Sequence, residues 1–413
     1  MIYKHGTYGE QIPTQDKLPL SGMGTIPVYI GTAPVETLSN YTIAVNTPIM
    51  VNSFEEAKTK LGYSDDWKKY TLCEAMYAHF KNKVGSIGPI ILINVLNPEV
   101  HKAEVPVEKT HIIGGIDANG KRTGIACVDL VYQTLGVIPS VLAAPGWSHI
   151  PDVEKALVEK CKKINGHWDA ICVTDLDSSS AKTIEGAKAW KETNGYKSKE
   201  EKICWPRVIN NDKEFFMSTM VVVRMQQTDC ANDDTPFESP SNKPIDITGT
   251  ILGDGTAISF DEVQANEMNS KGITTAAYRS GNWVLWGPHN ANYEFGKEDI
   301  DARDKFDCGI RMMMYLTNLF QKRYMSSVDS PLNRAMVDTI LNDSQVWLNS
   351  LVADGKLLFA QITFNEASNS VNSIVEGDFV FDVRTTTTPA GKSLSFKLQY
   401  TNQGINTLFG GEN

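Results

Sequence analysis

The chain of 413 residues has no apolar run near the ~20 residues that a membrane span requires. Its longest candidate, VGSIGPIILINVL at 84–96, is interrupted by Gly88 and Pro89 and reads as a buried strand. Positive charge is not in excess. The formal net charge is −10, which argues against a nucleic-acid partner, since such proteins carry a basic face. The opening MIYKHGTYGEQIPT lacks the apolar core of a secretory signal. There are seven cysteines, an odd number, and no CxxC. That pattern suits reduced thiols made in a cytoplasm, not a disulfide framework or a zinc site. Neither GxGxxG nor GxxxxGK[ST] occurs, since GIDANGK (115–121) is followed by Arg122, so no phosphate cradle is encoded. HExxH and HxH are also missing, and with them the ligands of a zinc hydrolase.

Few residues remain as candidates for chemistry. Ser148 and His149 stand side by side in APGWSH, which suggests a nucleophile and its base. The pattern is not GxSxG, however, and adjacent residues seldom aim their side chains at each other as a triad needs. A strand-to-helix turn is the simpler reading. Asp175 and Asp177 end a strand, where α/β enzymes keep metal-binding carboxylates. The SSS run after them makes them turn and capping residues instead. Cys308 and the methionines at 312–314 read as core filling. Trp283 and Trp286, three apart in a strand, face opposite sides and read as packing residues. No cofactor, metal or catalytic set is expected.

Apolar residues make up 41% and charged residues 21%, the balance of an ordinary globular chain with a sizeable core. Residues 1–21 carry Gly6, Gly9, Pro13 and Pro19 with few apolar residues, and read as an arm. From 26 to 227 strand and helix patterns alternate. IPVYIGTAPVE, IILINVLN, IPSVLAAPG and DAICVTDLD are the strands. A capped helix at 51–62, a helix at 70–85 and a helix at 151–165 opening on Pro151 lie between them. Such alternation predicts a parallel sheet flanked by helices. MVVVRMQQ (220–227) fits helix or strand, and the polar 178–202 carries no signature. ITTAAYRSGNWVLWG (273–287) predicts a hairpin turning at Ser280-Gly281-Asn282. A helix at 304–325 and another at 330–355 follow. Ser330 is the expected cap of the second, Pro331 its first position and Gly355 its stop.

Two alternating segments close the chain. DFVFDVRT (378–385) places Phe379, Phe381 and Val383 on one face. SLSFKLQYT (393–401) does the same with Leu394, Phe396, Leu398 and Tyr400. A strict two-residue period marks a strand with one buried face. Yet the second segment lies almost at the terminus, where chains are loose unless held.

Several blocks, in order along the chain, resemble the tail sheath proteins of contractile phages and phage-tail-like bacteriocins. They are HGTYGEQIPTQDKLPLSGMGTIPVYIGTAP, NTPIMVNSFEEAKTKLG, ESPSNKPIDITGT (238–250), QANEMNSKGITTAAYRSGNWVLWGPHN (264–290), SPLNRAMVDTILNDSQVWLNSLVADGKLLFAQITFNEASN (330–369) and EGDFVFDVRTTTTPAGKSLSFKLQY. The resemblance implies a mixed α/β, multi-domain subunit with a helix-flanked sheet core and extended β-strand arms at both ends. It divides the chain into an arm (1–21), an outer α/β domain (22–275), an inner C-terminal domain (276–392) and a second arm (393–413). It implies helical self-assembly around an inner tail tube, with baseplate and tail terminator proteins as further partners. Neither nucleic acid nor membrane insertion is expected. Assembly in the bacterial cytoplasm into a virion or particle tail is expected. Ile2, Tyr3, Lys4 and Tyr8, and Leu394, Phe396, Leu398 and Tyr400, would add strands to neighbouring subunits. Phe379, Phe381 and Val383 would belong to the receiving strand, and Arg334, Asp338 and Asp343 would face the tube. The alternatives are a hydrolase built on Ser148 and Asp175, and the sheath of a secretion-type contractile machine. Those sheaths are commonly divided between two chains.

Overall fold

A computed structural model describes residues 24–402, apart from 103, together with 404, 405 and 408. The expected arm positions Ile2, Tyr3, Lys4 and Tyr8 lie outside the described residues. The largest element is a sheet of eight strands: β1 (Pro27–Gly31), β2 (Pro48–Val51), β3 (Ile90–Asn94), β4 (Val141–Ala143), β5 (Ile171–Asp175), β6 (Glu201–Cys204), β7 (Ile273–Arg279) and β8 (Asn282–Trp286). Their order across the sheet is β8-β7-β6-β5-β4-β1-β3-β2. The six inner strands run parallel, and β2 and β8 run antiparallel at the two edges.

The central strands are buried on both faces, as parallel sheets require. Tyr29, Leu92, Val141 and Val173 point into one core. Val28, Ile30, Ile91, Leu142 and Cys172 point into the other. Helices α1 (Phe54–Leu61), α2 (Thr71–Phe80) and α3 (Pro151–Lys160) supply flanking layers. Ser53 caps α1 by accepting from the Glu56 amide, and Gly62 ends it at φ +75°. The polar 178–202 holds a helix, α4 (Ile184–Asn194), capped by Thr183 and stopped by Gly195 in the left-handed region. The ambiguous MVVVRMQQ belongs to α5 (Met217–Ala231), which buries 11 of its 15 residues. An apolar run surrounded by core has no polar face to betray its period. Helix α6 (Glu262–Asn269) opens on a capping box between Asp261 and Gln264.

The C-terminal part is built on α7 (Asp307–Tyr324) and α8 (Arg334–Ala353). They pack on an antiparallel pair, β9 (Leu357–Thr363) and β10 (Asp382–Thr387), joined through a short helix α9 (Val371–Glu376). Met312, Leu316 and Leu319 of α7 meet Leu348 and Leu351 of α8 and Leu357, Ala360 and Ile362 of β9 in a separate core.

Three sequence expectations need correction. The division at 275/276 falls inside β7, which lies in the main sheet with β8, so the hairpin belongs to the large α/β unit. Ser330 does not cap α8. Asn333 does, accepting from the Met336 amide at 3.0 Å, and Pro331 lies before the helix. The closing strand begins at Asp382. Phe379 and Phe381 precede its ladder because Asn369 takes up the Val380 amide and carbonyl (2.8 and 2.9 Å) that pairing would have used.

Candidate assembly site

Of the polar residues singled out in the sequence, Ser148 and Asp175 meet at the carboxyl end of β5. Ser148 is fully buried, and its Oγ donates to Asp175 Oδ2 at 3.2 Å. It does not meet His149, whose ring stacks on Phe216 with an interplanar angle of 8°. Asp175 accepts from the Ser218 amide at 2.9 Å and from Ser218 Oγ at 2.5 Å. Glu74, from α2, accepts from the Phe216 amide (2.8 Å) and Thr219 Oγ1 (2.7 Å). Two carboxyl groups from distant segments thus cap the start of α5, where Phe216 offers no side-chain cap. The unpaired amides of a helix N-terminus attract such acceptors. This cluster is closed and satisfied within itself. The nucleophile–base reading of Ser148 with His149 is overturned by its geometry. Asp177 turns into the SSS run and accepts from the Ser179 amide (2.9 Å) and Ser180 Oγ (2.5 Å). Ser148→Ala is expected to cost about 1 kcal/mol and to leave self-assembly intact, measured by chemical unfolding and electron microscopy.

Burial raises the Glu74 carboxyl to about 8, against the opposing pull of Thr219 and Arg207, and raises Asp175 to about 6. A carboxyl raised on folding contributes stability below its unfolded value, and that contribution is lost as pH climbs through the folded value. Glu74→Gln should therefore lose less stability than the parent protein between pH 5 and 9. Thermal unfolding at the two pH values measures the difference.

The remaining candidates lie around the C-terminal pair of strands. After β10 the chain is held by Thr388 Oγ1, which donates to the Gly355 carbonyl at 2.8 Å. It is held again by Lys392, whose Nζ is 3.3 Å from the Tyr293 hydroxyl. Ser393–Tyr400 then make no backbone ladder with any described residue. Leu394, Phe396, Leu398 and Tyr400 are 79%, 84%, 98% and 82% exposed. A row of four large apolar side chains on an alternating segment stands in solvent.

At the other end of the same hairpin lies a groove of about 1020 Å³. Leu316, Phe320 and Tyr324 of α7 form one wall, and Phe379, Phe381 and Val383 the other. The expected receiving residues are therefore together, although only Val383 is inside the strand. The two edges of the hairpin differ. On β9 the Ile362 amide donates to Gln345 Oε1 (3.0 Å), and the Ala360 carbonyl accepts from Gln345 Nε2 (3.1 Å). Helix α8 thus occupies that edge. The far edge of β10 has no strand among the described residues, and it borders the groove. An uncovered edge beside apolar pockets is the arrangement that accepts an added strand.

Arg334 and Asp338 form an exposed pair on α8 (2.9 Å), and Asp343 is exposed one turn further on. Trp283 is half-buried against the main core. Trp286 donates from Nε1 to Asn266 Oδ1 at 2.8 Å under the Arg279 guanidinium. Cys308 and Met312 are buried. The groove itself escaped the sequence reading. Its walls come from segments about sixty residues apart, and the one local signal is the Phe379-x-Phe381-x-Val383 alternation.

No family model matches the chain. A prophage protein of Pseudomonas aeruginosa (strain UCBPP-PA14) named as a major tail sheath protein is 23% identical over 366 residues, 87% of each chain. The tail sheath protein of Escherichia phage P2 is 20% identical over 373 residues, covering 89% of this chain and 88% of its own. Among solved structures, a chain of the anti-feeding prophage baseplate superposes with a TM-score of 0.66 at 15% identity, covering 97% of this chain and all of its own. A chain of the contracted PVC sheath complex, an extracellular contractile injection system, gives 0.65 at 15% identity, with 98% and 99% covered. The fold of this chain is the fold of those subunits.

Proposed function

We infer that this chain is a structural subunit of a contractile tail sheath, a component of a phage tail or tail-like particle. Relatives and fold neighbours of that description match it nearly from end to end. One observation carries the mechanism. An apolar, alternating segment leaves the molecule unpaired at one end of a hairpin, and an open strand edge beside an apolar groove waits at the other.

The arm of one copy adds to β10 of the next, with Leu394, Phe396, Leu398 and Tyr400 entering the groove against Phe379, Phe381 and Val383. Its exit direction supports exchange between molecules. Thr388 and Lys392 lead the chain past Gly355 to Tyr293, away from its own groove. The N-terminal arm, with Ile2, Tyr3, Lys4 and Tyr8, supplies the counterpart strand. Such a head-to-tail contact does not close on itself and generates a helix.

The body is suited to moving as one piece. Lys202 of β6 and Asp307 of α7, both fully buried, pair at 2.8 Å and join the sheet to the C-terminal part. Asp229 of α5 pairs with Arg311 of α7, which also reaches Thr25 Oγ1 at 3.1 Å, next to the start of the described chain. Contraction then exchanges packings of rigid bodies while the arms keep neighbours connected. Its free energy is stored in a metastable lattice at assembly. The tube-facing side is assigned to α8, with Arg334, Asp338 and Asp343. The inner tail tube, baseplate and terminator proteins are its partners, and assembly takes place in the host cytoplasm.

Negative-stain microscopy of the purified protein over a concentration series tests the reading. Tubes or rings are expected to form above a threshold. A monomer unchanged at every concentration would contradict it.

A further inference from the structure

Helix α9, in the β9–β10 connection, buries none of its six residues. Val371 and Val375 are 78% and 80% exposed, and Ile374 is also exposed. These three lie at i, i+3 and i+4, so they form one face. A helix this short is unstable in water without packing, yet it is carefully built. Ser370 Oγ accepts from the Ser373 amide at 3.1 Å, and Gly377 closes it in the left-handed region at φ +90°. Asn369 fastens its base to Val380. A capped helix showing three branched aliphatic residues to solvent points to a surface that is covered in the working assembly.

We propose that this face receives the last apolar residues of a neighbouring copy's C-terminal tail. The proposal rests on the strand-addition reading and extends it. Beyond Tyr400 the sequence runs TNQGINTLFGGEN, in which Ile405, Leu408 and Phe409 repeat the i, i+3, i+4 spacing. Ile405 and Leu408 are exposed, Leu408 by 81%. The fit is one of position. Gly377, the end of α9, lines the groove together with Phe379, so the helix stands where the groove ends. An arm antiparallel to β10 brings its C-terminal end to Asp382, the α9 end of that strand. Five residues from Tyr400 to Ile405 then span at most about 17 Å, enough to pass Phe379 and reach the helix. The strand side chains would fix the arm in its groove, and the terminal apolar residues would lock it there. The same tail cannot cover α9 of its own molecule without reversing, because it departs from the opposite end of the hairpin.

The test uses the full chain with Cys230, the one exposed cysteine among the described residues, replaced by Ser. Val375→Cys and Leu408→Cys are combined, tubes are assembled and then oxidised. A ladder of covalently joined subunits on a denaturing gel is expected. Val375→Asp and Leu408→Asp should each raise the threshold concentration for assembly about tenfold and leave the monomer's unfolding temperature unchanged. Deleting 404–413 should do the same, while deleting 394–413 should abolish assembly. If only the longer deletion has an effect and no ladder forms, the docking on α9 is wrong and strand addition stands. If neither deletion affects assembly, both are wrong. In tubes assembled around an inner tube protein, a disulfide from the thiol introduced by Val375→Cys to that protein, in place of the one introduced by Leu408→Cys, would also overturn the proposal.

Discussion

Deletion of residues 394–413 is expected to abolish tube formation at every accessible concentration while leaving a folded monomer. The large effect follows from two facts. Leu394–Tyr400 make no backbone ladder with described residues of their own chain, and Leu394, Phe396, Leu398 and Tyr400 are exposed. Removing the segment therefore takes little from the monomer, whose unfolding temperature should hardly move. In the assembly the same residues would bury most of that surface. Full burial of a Leu, Phe or comparable side chain contributes roughly 1.5–3 kcal/mol, and four of them per contact, repeated along a helix, outweigh the entropy of ordering an eight-residue arm only if all engage together. Phe396→Asp should reproduce much of the defect, because a charge would then face Phe320, Phe379 and Phe381 in the groove. Ser395→Asp, on the opposite face of the strand, should have a far smaller effect. Sedimentation of assembled from unassembled protein, with circular dichroism of the soluble fraction, checks all three.

The second large effect lies in the body. Asp307→Ala should destabilise the subunit by about 3–5 kcal/mol. It leaves the Lys202 ammonium fully buried with only the Gly287 and His289 carbonyls, at 2.8 and 3.2 Å, to satisfy it. Ser239 Oγ also loses its acceptor at 3.1 Å. The contrast with a double substitution is the informative part. Lys202→Met with Asp307→Leu removes both charges and should recover much of the loss, because an apolar pair of similar volume carries no desolvation penalty. If the pair's purpose is to fix the sheet against α7, the double variant should fold but contract or assemble with altered geometry. Urea unfolding supplies the stabilities, and image reconstruction of tubes supplies the geometry.

The local grammar of the chain was legible where short-range chemistry decides. Ser53 and Gly62 bracket α1, Pro151 opens α3, and Ser280-Gly281 turns the β7–β8 hairpin, all at the positions their side chains or backbone freedom require. Legibility failed where a distant residue substitutes for a local one. Helix α5 shows no cap in its own sequence because Glu74 and Asp175 perform that task across 142 and 43 residues. Helix α4 was hidden in a polar stretch, although Thr183, Gly195 and the Ile184, Ala187, Lys191 spacing were available to mark it. The start of β10 moved because an asparagine eleven residues away claimed the Val380 backbone. For the site the division is similar. The segment proposed as donor could be read directly from its alternation. The proposed acceptor could not, since Gln345 blocking the β9 edge and α7 walling the groove beside the open β10 edge are facts of packing.

Hydrogen–deuterium exchange of the 393–400 amides, compared between dilute monomer and assembled tubes, tests the central claim most directly. Strand addition to a neighbour gives rapid exchange in the monomer and strong protection in the tube, with the β10 edge amides gaining protection in step. Equal protection in both forms, or an arm that still exchanges freely in well-ordered tubes, would contradict it.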